Sequence, residues 1–262
     1  MDENLSDKLR VEFPEQHVAL IQINRPDKKN ALHSSMVIEL GRILVELEGN
    51  NEVRCVVLTG TDQYFSAGAD IKEMVRFGPV NVANNPKRMQ AWKVIESFKK
   101  PLIAAVNGMA FGGGCELAML CDFIIGGADA KFGQPEILLG GIPGDGGTQR
   151  LPRKLGPNVA TFMLMTGEPI DAYRAKELGM IVEICEPSAA IGRALEIASK
   201  IAQRAPAAVQ AVKACVAVAI AATVENGLTF EREAISKLAL TEDSREGMLA
   251  FSEKRAPVFK GR

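Results

Sequence analysis

The sequence predicts an α/β fold, a parallel-sheet core with crossover helices followed by a mostly helical C-terminal region. Three observations lead there. Up to about residue 140, β-rich runs at 18–24, 53–60 and 102–106 alternate with segments of helical apolar spacing, the pattern of parallel strands joined by crossover helices. From Gly146 onwards the chain reads as helical, broken only at 180–184. With 47% hydrophobic and 24% charged residues among 262, such a chain buries a core without disulfides or metal.

The elements follow in order. Val18-Ala19-Leu20-Ile21-Gln22-Ile23-Asn24 is β-rich and stops at the turn signal Arg25-Pro26. Ser34 or Ser35 is expected to cap a helix whose apolar positions Met36, Leu40, Ile43, Leu44 and Leu47 lie at helical spacing. The run 53–60 is a second strand and enters a glycine-bearing segment at 66–70. Pro86 suits a helix start, with Met89, Trp92, Ile95 and Phe98 as its apolar stripe. The strand at 102–106, a glycine run, a short helix, and short strands at 122–125 and around Phe132 complete the first half. The segment 206–223 is apolar nearly all round, so it wants cover on several sides, as when packed against another subunit.

Composition excludes several classes. Thirty-one basic and 32 acidic residues give a net charge of −1, which steers the chain towards neither nucleic acid nor anionic membrane. Five cysteines at irregular spacings contain no C-x-x-C pair, so buried reduced thiols are expected. Two histidines make a zinc site unexpected. The acidic start, Met1-Asp2-Glu3-Asn4, has no signal-peptide core, and a cytoplasmic location is the default expectation. The apolar stretch 101–121 carries four glycines and Glu116, which suits a buried strand, turn and helix rather than a membrane span.

Two carboxylates stand out by their surroundings. Glu116 is the sole acidic residue in 101–121, and Glu136 the sole charged residue in 132–143. An isolated carboxylate in apolar surroundings is costly unless paired, hydrogen-bonded or protonated, and so suits acid–base work near neutral pH. The plainer alternative is that each caps a helix or meets an arginine such as Arg150. Two glycine segments accompany them. Phe65-Ser66-Ala67-Gly68-Ala69-Asp70 follows a strand, and Phe111-Gly112-Gly113-Gly114-Cys115 precedes a helix. Each is either a tight turn or a pair of open backbone donors of the kind that builds an oxyanion hole. Neither matches a dinucleotide or phosphate-loop fingerprint.

Taken together, successive motifs resemble the crotonase (enoyl-CoA hydratase/isomerase) family. They are Asn24-Arg25-Pro26, Asn30-Ala31-Leu32, Ala67-Gly68-Ala69-Asp70-Ile71-Lys72, Gly112-Gly113-Gly114-Cys115-Glu116-Leu117-Ala118 and Phe132-Gly133-Gln134-Pro135-Glu136. Pro143-Gly144-Asp145-Gly146-Gly147-Thr148-Gln149-Arg150-Leu151 continues the match, as do Thr241-Glu242-Asp243, Gly247, Phe251, Lys254-Arg255 and Phe259-Lys260-Gly261. The resemblance runs from about residue 10 to the C-terminus.

That resemblance implies a crotonase-type ββα spiral core over 1–200 and a C-terminal helical trimerisation region over 201–262, giving a homotrimer or a homohexamer of paired trimers. It implies an acyl-CoA thioester substrate, with coenzyme A entering as part of that substrate and no separate cofactor or metal. The backbone N–H groups of Ala69 and Gly113 would form the oxyanion hole. Glu116 would activate water and Glu136 deliver a proton to C2, making the chain an enoyl-CoA hydratase. Ala67, Asp70, Ile71, Lys72 and Gly144 would bind the substrate, and Phe251 and Lys254 would meet the CoA nucleotide, from a neighbouring subunit. Asp145 either adds polarity near the acyl end or caps the helix after it, and the cap is the expectation. The segment 73–85, read as a loosely patterned loop, would border the acyl chain.

Related reactions on the same fold, such as double-bond isomerisation, remain alternatives, although isomerases of the family often keep one of the two glutamates. A relative that binds RNA through a basic helix would use Lys87, Arg88 and Lys93, but no lysine-rich stripe accompanies them.

Overall fold

The structure, a computed structural model, describes residues 8–262. The acidic start at 1–4, on which the signal-peptide expectation rested, lies outside the described residues. In chain order, β1 (Leu9–Glu15) and β2 (Val18–Ile23) lead through α1 (Ser34–Gly49) to β3 (Cys55–Thr59) and β4 (Tyr64–Ser66). Helices α2 (Ile71–Phe77), α3 (Pro79–Ala83) and α4 (Pro86–Ser97) cross to β5 (Leu102–Val106) and β6 (Met109–Phe111). Helix α5 (Gly113–Leu120) crosses to β7 (Phe123–Gly127) and β8 (Lys131–Gly133). A 3-10 turn (Pro135–Leu139), α6 (Gly147–Leu155) and α7 (Pro157–Thr166) follow, then β9 (Ile170–Asp171), α8 (Ala172–Glu177) and β10 (Glu183–Cys185). Helices α9 (Ala190–Ala202), α10 (Pro206–Ala221), α11 (Val224–Leu238) and α12 (Glu242–Ser252) end the chain.

Each turn of this path places one strand in each of two sheets before a helix returns. Among the described residues, one sheet has the order β1-β2-β3-β5-β7-β10 and the other β4-β6-β8-β9. All pairings are parallel except β1 with β2 and β8 with β9. The expected α/β spiral of ββα turns is therefore the observed architecture. The core strands β3 and β5 are buried along their whole length, as strands covered on both faces must be. Most of the apolar core lies between the sheets and helices α1, α4 and α5. The other face of the larger sheet meets α9 through Ala190, Ala194, Ala198 and Ala202, whose small side chains at i, i+4 spacing let the helix approach closely.

Several expectations need correction. Neither Ser34 nor Ser35 caps α1; His33 does, its Nδ1 accepting the Ser35 N–H at 3.3 Å. Leu32 is held in a bridge to Ala69, so the chain stays extended through His33 and turns helical at Ser34. Met89 is exposed, whereas Trp92, Ile95 and Phe98 are buried as expected. The segment 73–85 is largely helical rather than a loop. Asp70 caps α2 through the N–H groups of Lys72 and Glu73, and Pro79 opens α3. The break expected at 180–184 contains a strand at Glu183–Cys185, paired with β7. Met180 and Ile181 instead fill the core from a turn, both N–H groups reaching the Ala175 carbonyl.

All five cysteines are free thiols; Cys55, Cys115 and Cys121 are buried, while Cys185 and Cys215 are half-buried. Near the boundary expected at 200, the chain bends by 112° between α9 and α10. Within the single chain α10 and α11 bury no residue, and Val212, Val216 and Ile220 are exposed along one face of α10. The tail folds back on α12, with buried Asp243 accepting the N–H groups of Lys260 (2.7 Å) and Gly261 (2.8 Å). No single helix among the described residues is long and apolar enough to cross a membrane.

Candidate active site

Three loops leave the same ends of three neighbouring parallel strands, β4, β6 and β8. They carry Ala67–Asp70, Gly112 with the start of α5, and Gln134 with Glu136. The C-terminal edge of a parallel sheet is where α/β folds gather their chemistry, because every crossover exposes a loop there. The topology thus brings together segments separated by some forty-five and twenty residues of sequence.

The first loop is shaped by the motifs around residues 25 and 30. Asn30 sits in the left-handed region at φ +55° and is fully buried. Its Oδ1 accepts the Arg25 N–H (2.7 Å), and its Nδ2 donates to the carbonyls of Tyr64 (2.7 Å) and Phe65 (3.3 Å). Ser66 Oγ donates to the Asn30 carbonyl and accepts the Gly68 N–H. Leu32 then pairs on both sides of Ala69, its N–H going to the Gly68 carbonyl and its carbonyl accepting from Asp70. The N–H of Ala69 is left pointing elsewhere. Arg25 Nη1 donates to Asp70 Oδ2 at 2.7 Å. Burial works to raise the Asp70 carboxyl, but this bond and the N–H groups of Glu73 and Lys72 hold it below its ordinary value.

The second loop turns at Gly112, whose φ of +51° and ψ of −128° only glycine adopts readily. Gly114 must also lack a side chain, since a Cβ there would lie 2.5 Å from the Ser66 carbonyl oxygen. Gly113 is different. Its Cβ would meet Ala69 N at 3.6 Å and Glu116 Oε2 at 3.9 Å, ordinary contacts, so the protein's own packing leaves room for a side chain at this position. Gly113 is the first residue of α5, where N–H groups have no partner within the helix. Among the described residues neither the Gly113 N–H nor the Ala69 N–H donates to a protein acceptor. The two open donors lie on adjoining loops, Ala69 N 3.6 Å from where a Cβ on Gly113 would stand.

Both glutamates lie beside these glycines. Glu116 is 1% exposed, and its Oε1 accepts the N–H groups of Asp145 (2.8 Å) and Gly147 (2.7 Å). Burial, with the negative charge of Asp145 adding to it, pushes its carboxyl up to about 7 against the opposing pull of the Gly147 N–H. Glu136, half-buried in the 3-10 turn, has Oε1 3.0 Å from where a Cβ on Gly112 would stand. Its carboxyl is also raised, by burial and then by Asp145, against its own backbone N–H. The amide of Gln134, with its nitrogen toward Glu136, reaches both carboxylate oxygens at 3.1 and 3.2 Å. Two groups with raised carboxyl values thus flank two adjacent glycines, beside a pair of open donors.

Comparison with known proteins gives the family. Residues 14–262 match the family model described as enoyl-CoA hydratase/isomerase. The chain belongs to the enoyl-CoA hydratase/isomerase family. It is 42% identical over 248 residues to a 2,3-dehydroadipyl-CoA hydratase of Escherichia coli K12, covering 95% of this chain and 97% of that one. It is 44% identical over 243 residues to a mitochondrial enoyl-CoA hydratase of Pongo abelii, covering 93% and 83%. Its fold superposes with a TM-score of 0.93 on the crystal structure of an enoyl-CoA hydratase from Bacillus anthracis, 37% identical, covering 97% of this chain and all of that one. The expectations of a crotonase fold and of an enzyme of this family stand accordingly.

Within this family member, Ala67, Asp70, Ile71 and Lys72 lie on the first loop and the start of α2, with Ile71 and Lys72 exposed. Gly144 is exposed on the loop whose next residue, Asp145, holds Glu116. Phe251 and Lys254 are not drawn into this group: both are exposed at the end of α12, which has no extensive packing against α2 or α5. The alternative that Arg150 meets a glutamate of the site fails, because Arg150 pairs with Glu96 and with the Asp145 carbonyl. Asp145 does not cap α6 either; Gly146 precedes that helix without a side-chain cap, and the Asp145 carboxylate faces Arg88. Arg88 is buried rather than displayed on a basic surface. Sequence reasoning assigned no role in the site to Asn30, Gln134 or Gly147, and considered Arg88 only as part of a basic RNA-binding helix. The buried asparagine beside a left-handed turn was the one signal among these that a local reading offers.

Proposed function

We propose that this chain hydrates a 2-trans-enoyl-CoA to the 3-hydroxyacyl-CoA. The observation that carries the reading is the pair of glutamates flanking the open N–H groups of Ala69 and Gly113. The thioester carbonyl oxygen accepts those two hydrogen bonds, and each such donor is worth about 3–4 kcal/mol as negative charge builds there. Gly113 adds the positive end of α5.

Glu116 in its ionised form takes a proton from water as the oxygen attacks C3. The electron pair of the C2=C3 bond moves towards the carbonyl, giving an enolate in the hole. Glu136 in its protonated form then donates to C2 as the enolate collapses. With its carboxyl at about 7, Glu116 is divided between the two forms near neutral pH, which suits a group that must take up and release protons. The two titrate as a coupled pair, so the assignment of steps belongs to the pair before it belongs to either residue.

Coenzyme A enters as part of the substrate, with Ala67 to Lys72 and Gly144 along its path. Phe251 and Lys254 reach a CoA nucleotide from a neighbouring subunit in this reading. The exposed apolar face of α10 supports assembly as a homotrimer or homohexamer. The test is loss of the conjugated enoyl-thioester absorbance when the protein meets crotonyl-CoA. Rapid loss that depends on Glu136 and yields 3-hydroxybutyryl-CoA is the expected result; binding without loss would move the reading to another reaction of the family.

A further inference from the structure

We propose that Arg88 and Asp145 are a positioning pair that holds Glu116 in its working orientation and balances the charge beside it. The inference rests on the hydratase reading for its consequence in turnover, but not for its structural content. Arg88 lies in the first turn of α4 and is 7% exposed. Its guanidinium meets both oxygens of Asp145, Nη1 reaching Oδ1 at 2.9 Å and Nη2 contacting Oδ2. The backbone N–H of the same Asp145 donates to Glu116 Oε1. Its carbonyl accepts from Arg150 Nη1 at 2.7 Å, and Arg150 in turn reaches back to Glu96 on α4. One residue is thus fastened at its carboxylate, its carbonyl and its N–H, with α4 supplying Arg88 directly and bracing Arg150 through Glu96.

Stability alone gives little reason to bury such a pair, since a well-packed apolar pair is often as stable. The surroundings give a reason. Without Arg88, Asp145 would add a third uncompensated carboxylate beside Glu116 and Glu136. The charged or titratable groups facing Glu116 are Asp145 from its loop, Glu136 from the 3-10 turn and Cys115 on its own helix. Arg88 and Arg150 act through Asp145. Lys154, on α6, faces the Cys121 and Asp122 end of α5. Strands β4, β6 and β7, also packed on α5, carry no acidic or basic residue. Arg88 also lies 5.7 Å from the Trp92 ring centroid, a contact that holds the guanidinium in place.

The experiment compares Arg88→Met, Asp145→Ala and the double variant. The titration midpoint of Glu116 is read by carboxyl-carbon NMR in the ligand-free protein, and kcat and KM are read with crotonyl-CoA. Arg88→Met leaves Asp145 uncompensated and should raise the midpoint by about one pH unit. Asp145→Ala leaves Arg88 uncompensated and should lower it by about as much. The double variant should fall between the two single variants. Each single change should lower kcat by roughly 10- to 100-fold with little change in KM, and the double variant should recover part of that loss. Asp145→Asn, which keeps the shape, replaces the alanine variant if that fails to fold. Equal losses in all three variants with an unmoved midpoint would assign the pair to structure alone and overturn the proposal. Absence of any turnover by the wild-type protein would overturn the hydratase reading, while the NMR midpoints would still test the pair.

Discussion

The backbone N–H of Gly147 donates to Glu116 Oε1 at 2.7 Å across 31 residues of chain. Gly147 is confined as tightly as the carboxylate it holds. A Cβ on it would lie 2.7 Å from the Pro143 Cβ and 2.8 Å from the end of the Gln134 side-chain amide, so no other residue fits without moving the loop. The result is a buried carboxylate with one oxygen fastened by two main-chain donors and the other turned toward Gly113. Main-chain donors do not rotate away, and a carboxylate so held keeps one orientation through its proton transfers.

Glu116→Gln and Glu136→Gln should each slow hydration of crotonyl-CoA by roughly 100- to 10,000-fold while leaving the fold intact. Loss of absorbance gives the rate and circular dichroism the fold. Near-normal turnover in either variant would rule out a two-glutamate mechanism.

Glu116 should make the protein less stable as pH rises. Its carboxyl titrates at about 7 when folded, against an ordinary value of 4.5. Between those values the folded state keeps a proton that the unfolded state has released, so stability falls with rising pH, opposite to the usual salt-bridged carboxylate. Glu116→Gln removes this dependence and should gain on the order of 3 kcal/mol over wild type between pH 4 and pH 8. Urea unfolding at the two pH values, at one protein concentration, measures it. A wild-type-minus-variant difference that does not change with pH would contradict the assignment.

Adjacent glycines should respond differently to alanine. At Gly114 the added methyl would stand 2.5 Å from the Ser66 carbonyl oxygen, and the overpacking should cost about 3 kcal/mol. At Gly113 the nearest neighbour would be 3.6 Å away, so the protein should fold to within about 1 kcal/mol of wild type. The methyl would occupy the oxyanion space, however, and turnover should drop by roughly 100-fold. Thermal melts and crotonyl-CoA rates separate the two effects; an active Gly113→Ala would remove Gly113 from the hole.

Asn30→Ala should destabilise the protein by about 3 kcal/mol, because it leaves buried partners of three hydrogen bonds unsatisfied and puts alanine in a left-handed conformation. Denaturant midpoints give the value. A change of less than about 1 kcal/mol would mean that water replaces the amide there.

Val216→Glu and Ile220→Glu place charges one helical turn apart on the exposed face of α10. Sedimentation velocity should show the assembled protein giving way to smaller species in either variant. A wild-type protein that sediments as one chain would refute the interface assigned to this face.

Contiguous apolar runs and helical periodicity made β2, β3, β5, α1 and α4 legible, since both signals are local. β1 escaped notice because Arg10, Glu12, Pro14 and Glu15 interrupt it, and it lies exposed at the sheet edge with only Leu9 buried. Strands β4 and β6 are three residues long, too short for any alternation to register. Helices α2 and α3 leave Val75, Phe77 and Val80 exposed, so no apolar face marked them as helical.

The sequence by itself determined which groups are chemically unusual: two carboxylates without local counter-charges, and glycines where backbone donors stay open. Those properties depend on near neighbours in the chain. Tertiary structure alone decided how the groups are held. Arg88 and Asp145 are 57 residues apart, and the N–H groups that grip Glu116 belong to Asp145 and to Gly147 at the start of α6, with no local mark of that task. Parallel strands joined by long crossovers bring such distant segments to one sheet edge, and the charges and donors that meet there are set by packing rather than by spacing along the chain.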